Sequence, residues 1–207
     1  TPDVSAEMAY TFYSEGSCMY ATVKSIIAQL AEKYGEPYAS FPMHMFKYGH
    51  GGVGGYGSVC GTLNGAAALI GLLIPDKSVQ DKMIGDIFQW YEKEAIPTFN
   101  PVNPAFDCTP VTSVSNSVLC HASNTNWCNV SGFGVGSKER KERCRRLTGD
   151  VAKKITMSLN EIHADNYITN KHVDEAAGTC ISCHGKEGKV SNAAVKMSCN
   201  SCHTESM

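Results

Sequence analysis

No stretch of this chain is apolar for long enough to cross a bilayer. The longest such run, residues 65–74, is about half of the roughly 20 residues that a spanning helix needs. Surplus positive charge is missing too: 18 Lys and Arg face 20 Asp and Glu, a net charge of −2, which argues against a nucleic-acid binder. There is no sustained alternation of apolar and polar residues, so a strand-based fold is excluded. Proline is sparse in most of the chain, and four of the eight (Pro97, Pro101, Pro104, Pro110) crowd into one loop. The chain opens at Thr1-Pro2-Asp3 without a basic segment followed by an apolar one, which reads as a mature terminus left after a signal peptide is removed. With 207 residues, 43% of them hydrophobic, it can bury one sizeable core, or one core and a small appendage.

What the chain has in abundance is cysteine, ten in all, and four of these sit in two motifs near the end: Cys180-Ile181-Ser182-Cys183-His184 and Cys199-Asn200-Ser201-Cys202-His203. Two thiols three positions apart can each form a thioether to one haem vinyl group, and the following histidine is then held under the iron as its proximal ligand. A bare C-x-x-C is shared with zinc sites and thiol–disulfide enzymes, and a zinc knuckle is the competing reading here. The repeated histidine directly after the second cysteine favours two covalent haems. Such attachment takes place outside the cytoplasmic membrane in bacteria, so the compartment expected is the periplasm. Only 14 residues, 185–198, separate the motifs, so the haems cannot lie far apart. A short tail cannot cover two macrocycles, and the remaining cover must come from the rest of the chain or from a second subunit.

Six cysteines remain: Cys18, Cys60, Cys108, Cys120, Cys128 and Cys144. In an oxidising compartment they could form three disulfides. The crowding of the last four into residues 108–144 also suits a thiolate-held iron–sulfur centre, and spacing alone leaves both readings open.

Helical periodicity dominates the rest. Tyr20, Val23, Ile26, Ile27 and Leu30 define a helix over 18–34 that Gly35-Glu36-Pro37 stops. A second helix over 59–73 is apolar all round and ends at Pro75, and a third starts near Ser78. A fourth surrounds 120–128, and a long fifth covers 137–162. The fold expected is mostly α: a cysteine-rich helical domain over 1–170 with a short irregular dihaem tail over 171–207. Two features mislead. Gly49-His50-Gly51-Gly52-Val53-Gly54 fits the dinucleotide fingerprint, as does an overlapping copy from Gly52, but no strand precedes it, so these glycines are read as tight turns and close approach to a cofactor. The basic run Lys138, Arg140, Lys141, Arg143, Arg145, Arg146 reads first as a solvated helix face, with a docking patch for an acidic redox partner or a site for haem propionates as alternatives.

The tail stands behind a domain containing Cys18-Met19-Tyr20, Cys60-Gly61-Thr62-Leu63-Asn64-Gly65-Ala66, Cys120-His121-Ala122-Ser123, Trp127-Cys128 and Cys144-Arg145-Arg146-Leu147-Thr148. Together these resemble the split-Soret cytochromes c of sulfate-reducing bacteria, and the helical part resembles the wider C–GCAxxG–C–C family of redox proteins. Cys60-Gly61-Thr62 departs from the Cys-Gly-Ala usual in that family, and Cys108 has no counterpart in its pattern. The resemblance implies homodimers with two closely stacked bis-histidine haems per subunit, histidines lent across the dimer, and a non-haem iron–sulfur centre. It lifts the metal reading of the cysteines above the disulfide reading. The ligand set expected is Cys60, Cys120, Cys128 and Cys144 around a [2Fe-2S] cluster, with Cys18 as substitute.

A second strong axial ligand closes a haem for electron transfer, whereas an open position admits substrate. Five histidines lie outside the motifs: His44, His50, His121, His163 and His172. His50, among glycines, and His163, at the end of the fifth helix, are the distal ligands expected, one of them crossing to the other subunit. His172 is near enough to the tail to serve. His121 is assigned to the cysteine site and His44 to the packed core. The function expected is periplasmic electron transfer by a dihaem c-type cytochrome, with redox partner proteins. The competing function is a small-molecule reductase with one open haem, and the third reading is a disulfide-stabilised haem scaffold.

Overall fold

The computed structural model describes residues 1–169, 175–199 and 203. It is built from six helices: α1 (Pro2–Tyr34), α2 (Gly61–Leu73), α3 (Lys77–Lys93), α4 (Cys120–Ser131), α5 (Lys138–His163) and α6 (Glu175–His184). The expected helices over 18–34, 59–73 and 137–162 are there. Residues 2–15, which carry no clear apolar period, also form helix, and α6 adds a helix to the tail that composition alone reads as irregular. Among the described residues the one sheet is a pair of two-residue antiparallel strands, β1 (Ala95–Ile96) and β2 (Ser113–Val114). It closes the proline-rich loop, which Asp150 ties down by accepting from the Thr98 amide (2.8 Å) and hydroxyl (2.9 Å).

α1 breaks in its middle. Gly16 is extended (φ −165°) and Ser17 is left-handed (φ 65°). A β-carbon on Gly16 would lie 2.4 Å from the Tyr20 ring, so only glycine lets the two halves meet. Cys18 is the first residue past the turn. Beyond it, α1 lies along α5, with α2 and α3 packed beside them. Leu147, Val151 and Ile155 recur every fourth residue along α5 and face Val23, Ile27, Leu63, Ile70 and Ile87, all fully or almost fully buried. Each such aliphatic side chain contributes about 1.5–3 kcal/mol of burial.

The starts of α2 and α4 are held side by side. Val59 and Leu119 form an isolated antiparallel bridge, with Cys60 N–H donating to the Val118 carbonyl (2.9 Å) and Cys120 N–H to the Ser58 carbonyl (2.8 Å). Two helices thereby begin at neighbouring cysteines. The glycine-rich loop before α2 closes over this junction. Five of its glycines (51, 52, 54, 55, 57) have positive φ, and Gly61 meets the Gly49 carbonyl so closely that a β-carbon there would lie 2.0 Å from its oxygen. No strand leads into the loop, so the fingerprint serves turning, as expected from sequence.

Candidate functional site

Four buried thiols from four helices meet where α1 breaks and α2 and α4 begin. Cys18, Cys60, Cys120 and Cys144 are all buried, and none is bonded to another. Cys60 and Cys120 share a hydrogen bond, and each of the four lies within electrostatic reach of others in the group. The hydrogen bond from Cys120 pulls the Cys60 thiol down, and the same bond pushes Cys120 up. Burial pushes Cys18 up. Asn124 spans the edge of the group: its amide donates to the Cys120 sulfur (3.2 Å) and its oxygen accepts from Cys144 (3.6 Å). Tyr13 lies 3.9 Å from the Cys18 sulfur, and Tyr91 hydrogen-bonds Cys60.

The charge around the thiols is positive. Arg143 is 1% exposed, points one nitrogen at the Cys144 sulfur (3.9 Å) and another at the Ser123 hydroxyl (2.7 Å), and leaves its Nε without a partner. Arg140 reaches the same sulfur at 3.8 Å. No carboxylate forms an ion pair with either guanidinium among the described residues. An uncompensated buried cation costs several kcal/mol, so the thiols are the groups that must supply negative charge here. Four soft donors, an excess of cation and an orphaned Nε fit a thiolate-held iron centre. Among the described residues no three Cys, His, Asp or Glu side chains converge tightly enough to hold a single ion.

Cys128 is not in this group. It is half-buried, eight residues after Cys120 on α4, about 12 Å along the helix and about 80° around it. It lines a separate cavity of 390 Å³ with Cys120, His121 and Arg140. Cys18, the substitute expected from the sequence, is buried just past the break at Gly16–Ser17 within electrostatic reach of Cys60 and Cys144, while Cys128 lines the cavity beside Cys120. Cys108 lies apart from the four: its carbonyl accepts from Arg146 (2.7 Å), and burial and Glu139 raise its thiol pKa. The basic run is not a solvated face throughout. Arg143 and Arg146 are buried, the latter paired with Glu142 at 2.9 Å, because α5 turns that edge towards α1. Lys138 and Lys141 are exposed.

The tail arranges its ligands differently. Cys180, Cys183 and His184 end α6, and at 100° per residue all three fall within an arc of about 100°. His184 Nδ1 lies 2.9 Å from the Asn192 amide oxygen, and its carbonyl accepts from the Asn192 and Ala193 amides. With Nδ1 so engaged, Nε2 is the nitrogen left for iron. In the second motif the His203 amide donates to the Cys199 carbonyl (3.0 Å), a helical turn. Cys202 lies outside the described residues, as does His172.

A cavity of 1480 Å³ opens at this end, lined by Ile26, Leu30, Leu73, Ile162, His163 and Tyr167 among others. Met197 of the tail packs against the core. His50 is exposed on the glycine-rich loop, at the thiol end, and His121 lines the smaller cavity beside Cys120. His44 is exposed in the 3₁₀ turn Met43–Phe46, which corrects its assignment to the core: Met43 and Phe46 take the inward positions.

Residues 20–158 match the redox-active protein family named for its C_GCAxxG_C_C pattern. Split-Soret cytochrome c of Desulfovibrio desulfuricans is 35% identical over 98% of this chain and 75% of its own length. A solved structure that reports a novel iron centre in split-Soret cytochrome c from D. desulfuricans ATCC 27774 superposes with a TM-score of 0.89, at 32% identity, over 99% of this chain and 88% of the other. The chain, a redox protein with a cysteine-rich helical body and a C-x-x-C-H tail, belongs to the C_GCAxxG_C_C family and, within it, to the split-Soret cytochromes c.

Proposed function

We propose that this protein is a periplasmic electron-transfer cytochrome that carries two haems c in its tail and an iron–sulfur centre in its helical body. The observation that carries the second part is the meeting of Cys18, Cys60, Cys120 and Cys144 beside two guanidiniums that form no ion pair with a carboxylate among the described residues. Because no three ligands close on one point among the described residues, a sulfide-bridged core such as [2Fe-2S], whose thiols stand farther apart, suits the group better than a bare ion. Bound there, it would supply a one-electron couple. Asn124, Tyr13 and Tyr91 hold the sulfurs in place, and the buried position keeps water out.

Cys180, Cys183, Cys199 and Cys202 hold the haems, with His184 and His203 as proximal ligands and Asn192 orienting the first. His163 is the distal ligand we favour, since it lines the large cavity at the end of α5 from which the tail departs. In a homodimer built at this end, each chain's His163 would serve the other's haem, and both sites would form or fail together. No described helix is long and apolar enough to cross a membrane.

Haem and total iron measured on one sample test the whole reading. Two haems per chain, low-spin and slow to take cyanide, with iron and acid-labile sulfide in excess of haem, are expected. Iron equal to haem would remove the thiol centre, and rapid cyanide binding would favour the reductase.

A further inference from the structure

Behind Cys60 runs a buried chain of hydroxyls that ends on a cation. Tyr91 of α3 and Ser123 of α4 are 0% exposed, and Arg143 of α5 is 1% exposed. The Tyr91 hydroxyl hydrogen-bonds the Cys60 sulfur on one side and lies 2.9 Å from Ser123 Oγ on the other. Arg143 Nη2 donates to the same Oγ at 2.7 Å. Tyr91 follows Met83 and Ile87 at four-residue steps on the buried face of α3. Packing on that face calls for an apolar ring and not for a hydroxyl, which is costly to bury unless it is hydrogen-bonded.

The protons of this chain can be followed. A guanidinium only donates, so Ser123 Oγ accepts from Arg143, whereas either hydroxyl of the Tyr91–Ser123 pair can donate. Accepting from a cation polarises Ser123 towards donating in turn, which leaves the Tyr91 proton for the sulfur. The chain then points one way, from Arg143 through Ser123 and Tyr91 to Cys60. Metal binding takes away the thiol proton that Cys120 offers to Cys60, and Tyr91 is then the side-chain donor to that sulfur beside the Thr62 amide. Asn124 also donates to a sulfur, but it is half-buried at a cavity, where water can replace it.

We propose that Tyr91 sets the reduction potential of the thiol site, its hydroxyl stabilising the reduced state by donating to the Cys60 sulfur with Ser123 and Arg143 behind it. One electron from a redox partner adds negative charge at the sulfurs, and the Tyr91 hydrogen bond strengthens against it. No covalent bond is made or broken and no proton is gained. The inference rests on the iron–sulfur reading above.

A redox titration of the haem-loaded protein followed by electron paramagnetic resonance, with iron and acid-labile sulfide measured on the same samples, tests it. Tyr91→Phe should keep its non-haem iron and lower the equilibrium constant for reducing the thiol centre about tenfold, which is about 59 mV for one electron. Ser123→Ala should shift it less in the same direction, and the haem potentials should stay in place in both. The proposal is overturned if Tyr91→Phe leaves the potential unchanged or raises it, if Ser123→Ala has the larger effect, or if the haems shift equally. Loss of iron from Tyr91→Phe would overturn it too, by making the hydroxyl part of what holds the centre. Failure of the iron–sulfur reading looks different: the unaltered protein would then contain no iron beyond its haem.

Discussion

The two ends of the molecule gather their ligands in opposite ways. At the tail, Cys180, Cys183 and His184 are neighbours in sequence, and one turn of α6 sets them on one side. At the thiol end, Cys18, Cys60, Cys120 and Cys144 come from four helices, and only the packed body brings them together. Along α5 the distance from Cys144 to His163 is about 28 Å. The difference teaches that a site can be local or can be a property of the whole fold, and that the two should fail differently. Damage to the tail should stay in the tail, whereas damage to the core should reach the thiols.

The largest expected effect tests that independence. Cys180→Ser with Cys183→Ser removes both thioethers of one haem, and haem per chain should fall by half while non-haem iron and helical circular dichroism stay unchanged. A parallel fall in non-haem iron would mean that the ends are coupled. Next come the two histidines. His163→Ala should turn one haem high-spin, seen in its absorption and magnetic resonance spectra, whereas His50→Ala, at the thiol end, should not. The reverse result would put the glycine-rich loop against a haem of the other subunit.

The same contrast decides what could be read from sequence. The C-x-x-C-H motifs were legible because their residues are contiguous. The helices after Cys18 were legible because Val23, Ile27, Leu63 and Leu147 mark buried faces at helical spacing. The first half of α1 was not: Ser5, Ala6, Ala9 and Tyr10 bury small or polar surface, which gives no apolar stripe. Nor was the placement of Cys18 beside Cys60 and Cys144, because it depends on a turn at Gly16–Ser17. Spacing favours neighbours along the chain, whereas the fold also brings a distant residue, Cys18, to the group. The burial of Arg143 and Arg146 within a run of six basic residues was hidden for the same reason.

Arg143 gives the thiol end its own prediction. Removing one partner from a buried charged cluster costs about 3–5 kcal/mol, whereas a half-exposed charge contributes about 1 kcal/mol or less. Arg143→Ala should therefore lower the stability in urea by the larger amount and deplete non-haem iron. Arg140→Ala, which reaches the same sulfur from the cavity side, should lower stability far less. Equal losses would show that the burial of Arg143 is not what matters.

The smallest effect is the most discriminating. Asp76 caps α3, its carboxylate accepting from the Ser78 (2.8 Å) and Val79 (3.1 Å) amides at the rim of the large cavity. Ser137 caps α5 near the thiols and accepts from the Arg140 amide alone (3.1 Å). Loss of either cap should cost about 1 kcal/mol, with Asp76→Ala the costlier because two amides and the helix dipole lose an anion. The spectroscopic order should be the reverse of the thermodynamic one. Ser137→Ala frays the turn that carries Arg140, whose guanidinium reaches Cys144, so it should shift the absorption of the thiol centre while leaving the haem bands in place. Asp76→Ala should speed hydrogen exchange at Ser78 and Val79 and leave the thiol centre untouched. If both variants disturb the thiol centre alike, its geometry depends on the overall stability of the body rather than on the turn beside it.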